Sequence, residues 1–523
     1  MRSSSTSRAE TVARAAPLLA ALTVLALPTV TLVVKGARAT SVGLLVHLLR
    51  TVLPPQVAQG VLAAAGAALV GAALSAGGLG AAIFDFPGRV ALDRALFAPL
   101  LLPTWFLAVV YRETFEARGV AWLALVLGVG AAPLFHLLGG AALRALPGAY
   151  LDVLRLGGRG RGGSLVRYLV PLAFPALGAA AALTALLAWS DAPSARVLAV
   201  PTPAVGMLDQ WSAREDASTG ALLGLAVAAS GLLAGWALLS ALARLPWQDD
   251  ARLGIAPARR VRLRGAWGAV PWVLAAPQIA LGIIVPARAI AAWSAERIER
   301  VDLATLGGDA GRTLLLASLA TLLAAALALP ILHAQAFVWG GARRGAAIAA
   351  GGLALLSFAL PTTVLGVAVL WMVPSGRREG PGAILHGTVL PLVMALSVHL
   401  SAVFVGAGRA ALLRHGRGHL EVLRLTGHDR LSSFVALLRP FLAPPAAAAA
   451  AFVFLECLKD VDLTVMLSPF GFQSISARVF QFALTNRARD CAVWMLCLAL
   501  IGVYPLMTLA RLGDREEPVT DPC

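Results

Sequence analysis

Leu151-Asp152-Val153-Leu154-Arg155-Leu156-Gly157-Gly158 returns 269 residues later as Leu420-Glu421-Val422-Leu423-Arg424-Leu425-Thr426-Gly427. The match runs without a gap from Tyr150 to Asp191 and from His419 to Asp460, laying Pro171 over Pro440, Pro175 over Pro444 and Asp191 over Asp460. Upstream, Leu102-Pro103-Thr104 is echoed by Leu360-Pro361-Thr362 at an offset of 258, so a small insertion separates the two registers. Self-similarity over this distance marks a duplicated unit. The chain divides into a first half, 1–244, a polar Arg-rich linker, 245–264, and a second half, 265–523.

The sequence around both copies is apolar. Of 523 residues 59% are hydrophobic and only 13% charged, against roughly 25% charged in a soluble domain. Mean hydropathy is +0.80. A bilayer-spanning helix needs about 20 apolar residues and satisfies its own backbone hydrogen bonds in lipid. Twelve charge-free stretches of 16 or more residues occur, six in each half; they include 51–84, 95–111, 217–243, 345–376 and 440–455. The last is the shortest and reaches full length only if Arg439 snorkels to the interface. Residues 463–477 contain Ser468-Pro469-Phe470-Gly471 and read as a loop. The expected fold is an all-α polytopic membrane protein with about 12 transmembrane helices in two pseudo-symmetric six-helix halves.

Twelve spans put both termini on one side. The Arg-rich loops at 144–167, 244–264 and 409–439 share that side, and the positive-inside rule makes it the cytoplasm. The first span, 15–34, precedes Ala37-Arg38-Ala39, which resembles a leader cleavage site; its uncharged run exceeds the usual signal core of about 7–15 residues, so an uncleaved helix is expected. The net charge of +16 is spread between apolar spans, which excludes a nucleic-acid-binding domain. Four cysteines in a chain this long make no disulfide framework.

The repeated segment carries a resemblance. An acidic residue, a glycine six positions on and a proline thirteen beyond that resemble the EAA loop of ABC-importer permeases, here Asp152, Gly158, Pro171 and Glu421, Gly427, Pro440. Asp85-Phe86-Pro87-Gly88-Arg89 resembles a loop between early helices of such permeases. The run from Leu455-Glu456-Cys457-Leu458-Lys459-Asp460 through Phe472 is similar to the two-domain ferric-iron transport permeases. The departures are Val153-Leu154 and Val422-Leu423 in place of two alanines, Val170 or Arg439 before the loop proline, and a glycine-rich first loop.

The resemblance implies a multi-pass permease of the bacterial inner (plasma) membrane with cytoplasmic termini. It implies two separate ATPase subunits, which carry the ATP and Mg, and a soluble periplasmic or extracytoplasmic substrate-binding protein. The six loop residues would be the ATPase-coupling positions. Their chemistry suits a short docking helix: Leu151, Leu154 and Leu156, or Leu420, Leu423 and Leu425, supply an apolar face. A glycine can end the helix in the left-handed region, a proline suits the start of the next one, and an acid in the first turn favours the helix N-terminus. The chain binds no cofactor by this reading and is no enzyme: neither Lys35 nor Lys459 sits in a Gly-Lys-Ser/Thr P-loop.

Ferric iron is the cargo the resemblance implies, with thiamine, polyamine, phosphonate or another small cargo as alternatives. A hard cation prefers oxygen ligands, which makes Asp191, Glu456, Asp460 and Asp462 candidates for the translocation path; the competing reading is interfacial charges that end a helix. The metal-binding residues are left open. A lone His399 within a span is expected to bond a neighbouring helix. A rival class is a proton-coupled secondary transporter with a 6+6 repeat, which predicts ionisable residues deep in several helices.

Overall fold

The computed structural model describes residues 3–37, 42–144, 170–214, 260–337, 342–373, 387–412, 430–437 and 441–514, with scattered positions at 224–233, 385 and 422. The fold is all-α and polytopic. Among the described residues eight helices are long and apolar enough to cross a membrane, and ten if each of two sharply bent pairs is one span. The difference from twelve has two sources. Stretch 217–243 lies mostly outside the described residues, and 440–455 appears as a helix of only 17 residues, Ala443–Lys459, about 26 Å at 1.5 Å per residue. Two further stretches differ in form. The stretch 51–84 breaks into Arg50–Leu74 and a short helix, Ala76–Ile83. The expected loop at 463–477 begins as a helix, Asp462–Leu467, before the turn around Pro469.

In the first half, α1 (Ser3–Ala37), α2 (Leu53–Leu74), α3 (Ala76–Ile83), α4 (Arg89–Ala95), α5 (Thr104–Phe115), α6 (Val120–Arg144), α7 (Val170–Ser190), α8 (Ala192–Val197) and α9 (Pro203–Arg214) follow in order. In the second, α10 (Val270–Ile279) and α11 (Val285–Arg297) form one long span. They precede α12 (Leu303–Phe337), α13 (Ala342–Ala359), α14 (Thr362–Leu370), α15 (Leu390–Ala411), α16 (Ala443–Lys459), α17 (Asp462–Leu467), α18 (Ile475–Leu484) and α19 (Ala492–Asp514).

Small residues decide the helix packing, because lipid provides no hydrophobic drive between helices and close backbone approach supplies the attraction instead. α2 and α6 run side by side in the same direction, with Gly66 against Ala124 and Gly128 against Val70. α12 and α15 repeat this pairing: Gly408 meets Leu332, and the Ser397 hydroxyl donates to the Ala320 carbonyl at 3.1 Å. Asp302 opens α12 by accepting from the Ala304 amide at 3.1 Å, and the Thr305 hydroxyl beside it holds its exposed carboxyl below the usual range.

The first span of each half packs on the other half. α1 lies against α12, α13 and α14, while α10–α11 lies against α3 and α5 of the first half and also against α19 of its own. One continuous apolar core joins Leu25, Phe106 and Val126 to Leu396, Val453 and Met495. The polar linker at 245–264 therefore marks a boundary in sequence and no boundary in packing. Its end is stapled to the first half: Val261–Arg262 pairs in parallel with Phe84–Asp85, and Leu263 N donates to Asp85 O at 2.9 Å. Gly88 sits there at φ +79°, where the Trp272 indole leaves no space for a Cβ, and Trp272 Nε1 donates to Pro87 O at 3.2 Å.

Between α10 and α11 a π-turn at Ala280–Ile284 widens the helix. The fully buried Tyr111 donates to the Leu281 carbonyl there at 2.7 Å. Tyr111→Phe removes that donor and is expected to cost about 0.5–1.5 kcal/mol, read as a lowered melting temperature of the purified chain. An unchanged melting curve would show that the bond contributes nothing net.

Candidate functional site

Two helices are broken, and the repeated sequence breaks both. The segment Arg89–Leu101 meets Thr104–Phe115 at 84°, and Ile348–Ala359 meets Thr362–Leu370 at 103°. The corners are Leu102-Pro103-Thr104 and Leu360-Pro361-Thr362. Pro103 lies at φ −57°, ψ 146° and Pro361 at φ −54°, ψ 139°, so both corners share one extended geometry. Proline fixes φ and provides no N–H, so the helix ends before it and restarts after it. The restarted helix exposes its first N–H groups and the positive end of its dipole.

A carboxylate answers each restart. In the first half, Asp191 Oδ2 accepts from the Thr104 hydroxyl at 2.7 Å and the Ser194 hydroxyl at 2.9 Å, while Oδ1 accepts from the Ser194 amide at 2.8 Å. Asp191 is thus the N-cap of α8 and also sits at the N-terminus of α5. In the second half two residues divide that work. Asp462, first residue of α17, accepts from the Thr362 hydroxyl at 2.8 Å at the N-terminus of α14. Asp460 Oδ2 accepts from the amide and hydroxyl of Thr464, each at 2.9 Å.

These acids converge. The charges of Asp460 and Asp191 both reach Asp462, as does that of Arg196. Trp105, the residue after Thr104, donates its indole N–H to the Lys459 carbonyl at 3.3 Å, which ties the first corner to the end of α16. Glu456 pairs with Lys459 on the same helix, and its field reaches Cys457, Asp460 and His399. His399 bonds the Ser357 carbonyl of α13 at 3.1 Å and stacks on Phe358, as expected of a lone His facing a neighbouring helix.

The four sequence candidates, Asp191, Glu456, Asp460 and Asp462, therefore lie together where the two halves meet. Their partners Thr104 and Thr362 are visible in the sequence only as an unexplained echo. Among the described residues no group of three or more His, Cys, Asp or Glu side chains is placed to hold a metal ion.

Asp191 and Asp460 directly follow α7 and α16, so these helices end on one face and begin, at Val170 and Ala443, toward the opposite face. Pro171 lies in the first turn of α7. Asp152, Gly158, Glu421, Gly427 and Pro440 lie outside the described residues.

A second polar cluster borders the acids' face. Asp309 of α12, with no exposed side-chain surface, is paired with Arg478 of α18, accepts from Trp494 Nε1 at 3.0 Å and lies 3.4 Å from Arg312 Nη1. Nothing in the local sequence singles out Arg478, which is 169 residues away.

No family model matches this chain, and no curated protein does.

Proposed function

We propose that this chain is the permease subunit of an ATP-driven ABC importer that moves ferric iron inward from a soluble binding protein. The observation that carries the reading is the twin loop with acid–glycine–proline spacing, Asp152/Gly158/Pro171 and Glu421/Gly427/Pro440, each feeding a helix that ends beside its counterpart. Duplicated loop sequences, each followed by a helix that begins toward one face and runs to a corner in a broken span, suit a machine driven from that face. Two ATPase subunits supply ATP hydrolysis and the bound Mg, and this chain contributes the path through the bilayer. The loop face is then the cytoplasmic face of the inner membrane. Ferric iron rests on the likeness of 455–472 to iron permeases.

Affinity purification of the full chain from its native host is the direct test. Two ATPase chains per permease are expected in the eluate, and ATP inside vesicles is expected to drive ferric-iron uptake. Gly427→Val is expected to retain membrane insertion and ATPase binding while uptake falls by about tenfold or more, because a β-branched residue resists the left-handed conformation that ends the docking helix. Normal uptake by this variant counts against the docking role.

Carboxylates at breaks in two helices also favour a second reading, a proton-coupled secondary transporter. That reading expects uptake by the chain alone, driven by a pH gradient and indifferent to ATP.

A further inference from the structure

We infer that Thr104–Asp191 and Thr362–Asp462 are two mechanical joints, which transmit displacement of the loop-fed helices α7 and α16 to the corners of the two broken helices. The inference rests on the importer reading and assigns positioning residues to it.

The geometry is specific. α7 has 21 residues, about 30 Å of helix, and Asp191 follows it directly. α16 ends at Lys459, and Asp462 follows three residues beyond that end. A helix resists axial compression, so a push at its loop end arrives at the acid. Each acid then stands between two helix N-termini: α8 and α5 for Asp191, α17 and α14 for Asp462. The carboxyl there faces the N–H-bearing start of each helix and accepts a threonine hydroxyl, 2.7 Å away for Asp191 and 2.8 Å for Asp462. The acid cannot move away from the threonine without stripping a buried carboxylate of a donor, and that penalty makes the contact a joint rather than a slip surface.

The two joints differ in a way the repeat alone conceals. Asp191 aligns with Asp460, yet the residue that holds Thr362 is Asp462. One carboxylate caps and links in the first half; in the second, Asp460 caps and Asp462 links. The first corner also touches the second loop-fed helix: the indole of Trp105 bonds the Lys459 carbonyl at the end of α16. Displacement of α16 is thereby felt at both corners, which couples the second half to the first.

The test uses the full chain with its copurified ATPase subunits in lipid nanodiscs and follows amide hydrogen exchange with and without trapped nucleotide. In the parent, trapping is expected to alter exchange both near the loop end of α7 and at 104–110 and 362–368. Thr104→Val with Thr362→Val keeps side-chain shape and removes both hydroxyls. The loop-end response should persist in it, while the response at the corners falls about tenfold, the equivalent of one buried hydrogen bond. Thr104→Ser with Thr362→Ser should restore it. Corner responses equal to the parent's overturn the joint and leave the importer reading intact.

Absence of ATPase subunits, or of any nucleotide response in the parent, sinks the importer reading instead. The joint is then judged on the chain alone. There Thr104→Val, Asp191→Asn and their combination are expected to lower the melting temperature non-additively, the double variant melting no lower than Asp191→Asn. Additive shifts overturn the joint.

Discussion

Asp309→Ala loses the folded end of α12 near the acids at temperatures the parent withstands, at an expected cost of about 3–5 kcal/mol. The carboxylate is fully enclosed and accepts from Arg478 and from the Trp494 indole. Truncation leaves the Arg478 guanidinium, about three-quarters covered, without its counter-charge, and leaves an indole N–H with no acceptor. α18 and the start of α19 are both anchored through this one side chain. Asp309→Asn keeps one acceptor and should lose less. Combining Asp309→Leu with Arg478→Met removes both charges and should recover most of the loss, because a buried ion pair costs more when halved than when replaced whole. Tryptophan-fluorescence melting in detergent reads all three. A double variant as unstable as Asp309→Ala would assign the loss to packing rather than charge.

Gly77→Val is expected to abolish docking of α3 of the first half against α10 of the second, with a loss above the roughly 1–3 kcal/mol usual for overpacking. A Cβ at Gly77 would lie 2.5 Å from the Ala275 Cβ and 2.7 Å from both its Cα and its amide nitrogen. The Cα and the nitrogen are backbone atoms of α10 and the Cβ is fixed to them, so no rotamer change can clear the clash. The next residue, Gly78, faces the other way, where a Cβ would fall 2.2 Å from His136 Nδ1 on α6. The Gly77-Gly78 pair therefore lets α3 lie flush against helices from both halves at once. His136 is itself fixed 2.9 Å from Asp93, so it has little freedom to retreat. The measurement is the monodisperse fraction after extraction and mild heating, with Gly80→Ala as control, since its Cβ meets Pro271 only at an ordinary 3.6 Å. Equal recovery of Gly77→Val and the control would show that α3 and α10 can separate without loss.

Much of this was legible in order of residues. Apolar length marks α1, α6, α12, α15 and α19 as spans, because a bilayer imposes a local requirement that each segment meets alone. The corners were legible as a repeated Leu-Pro-Thr, and the acids as charges closing a span. The partnership between them was not, since Thr104 and Asp191 are 87 residues apart and Thr362 and Asp462 are 100 apart. Bent spans are also poorly marked: 95–111 reads as one apolar stretch, while its 84° turn depends on what receives the restarted helix. The exchange of first spans between halves left no trace in hydropathy, because a lipid-facing and a protein-facing apolar helix have similar composition.

The sequence by itself determined an all-helical membrane chain, its duplication, the proline at each corner and an acid near the end of each loop-fed helix. These follow from local chemistry: apolar length, a missing N–H, a charge placed at an interface. Only the tertiary structure decided that Asp462 rather than Asp460 holds Thr362, that Arg478 answers Asp309, and that each half shelters the other's first span. Those outcomes depend on which distant groups arrive within about 3 Å of one another, and the closing of long loops leaves no periodic mark along a chain.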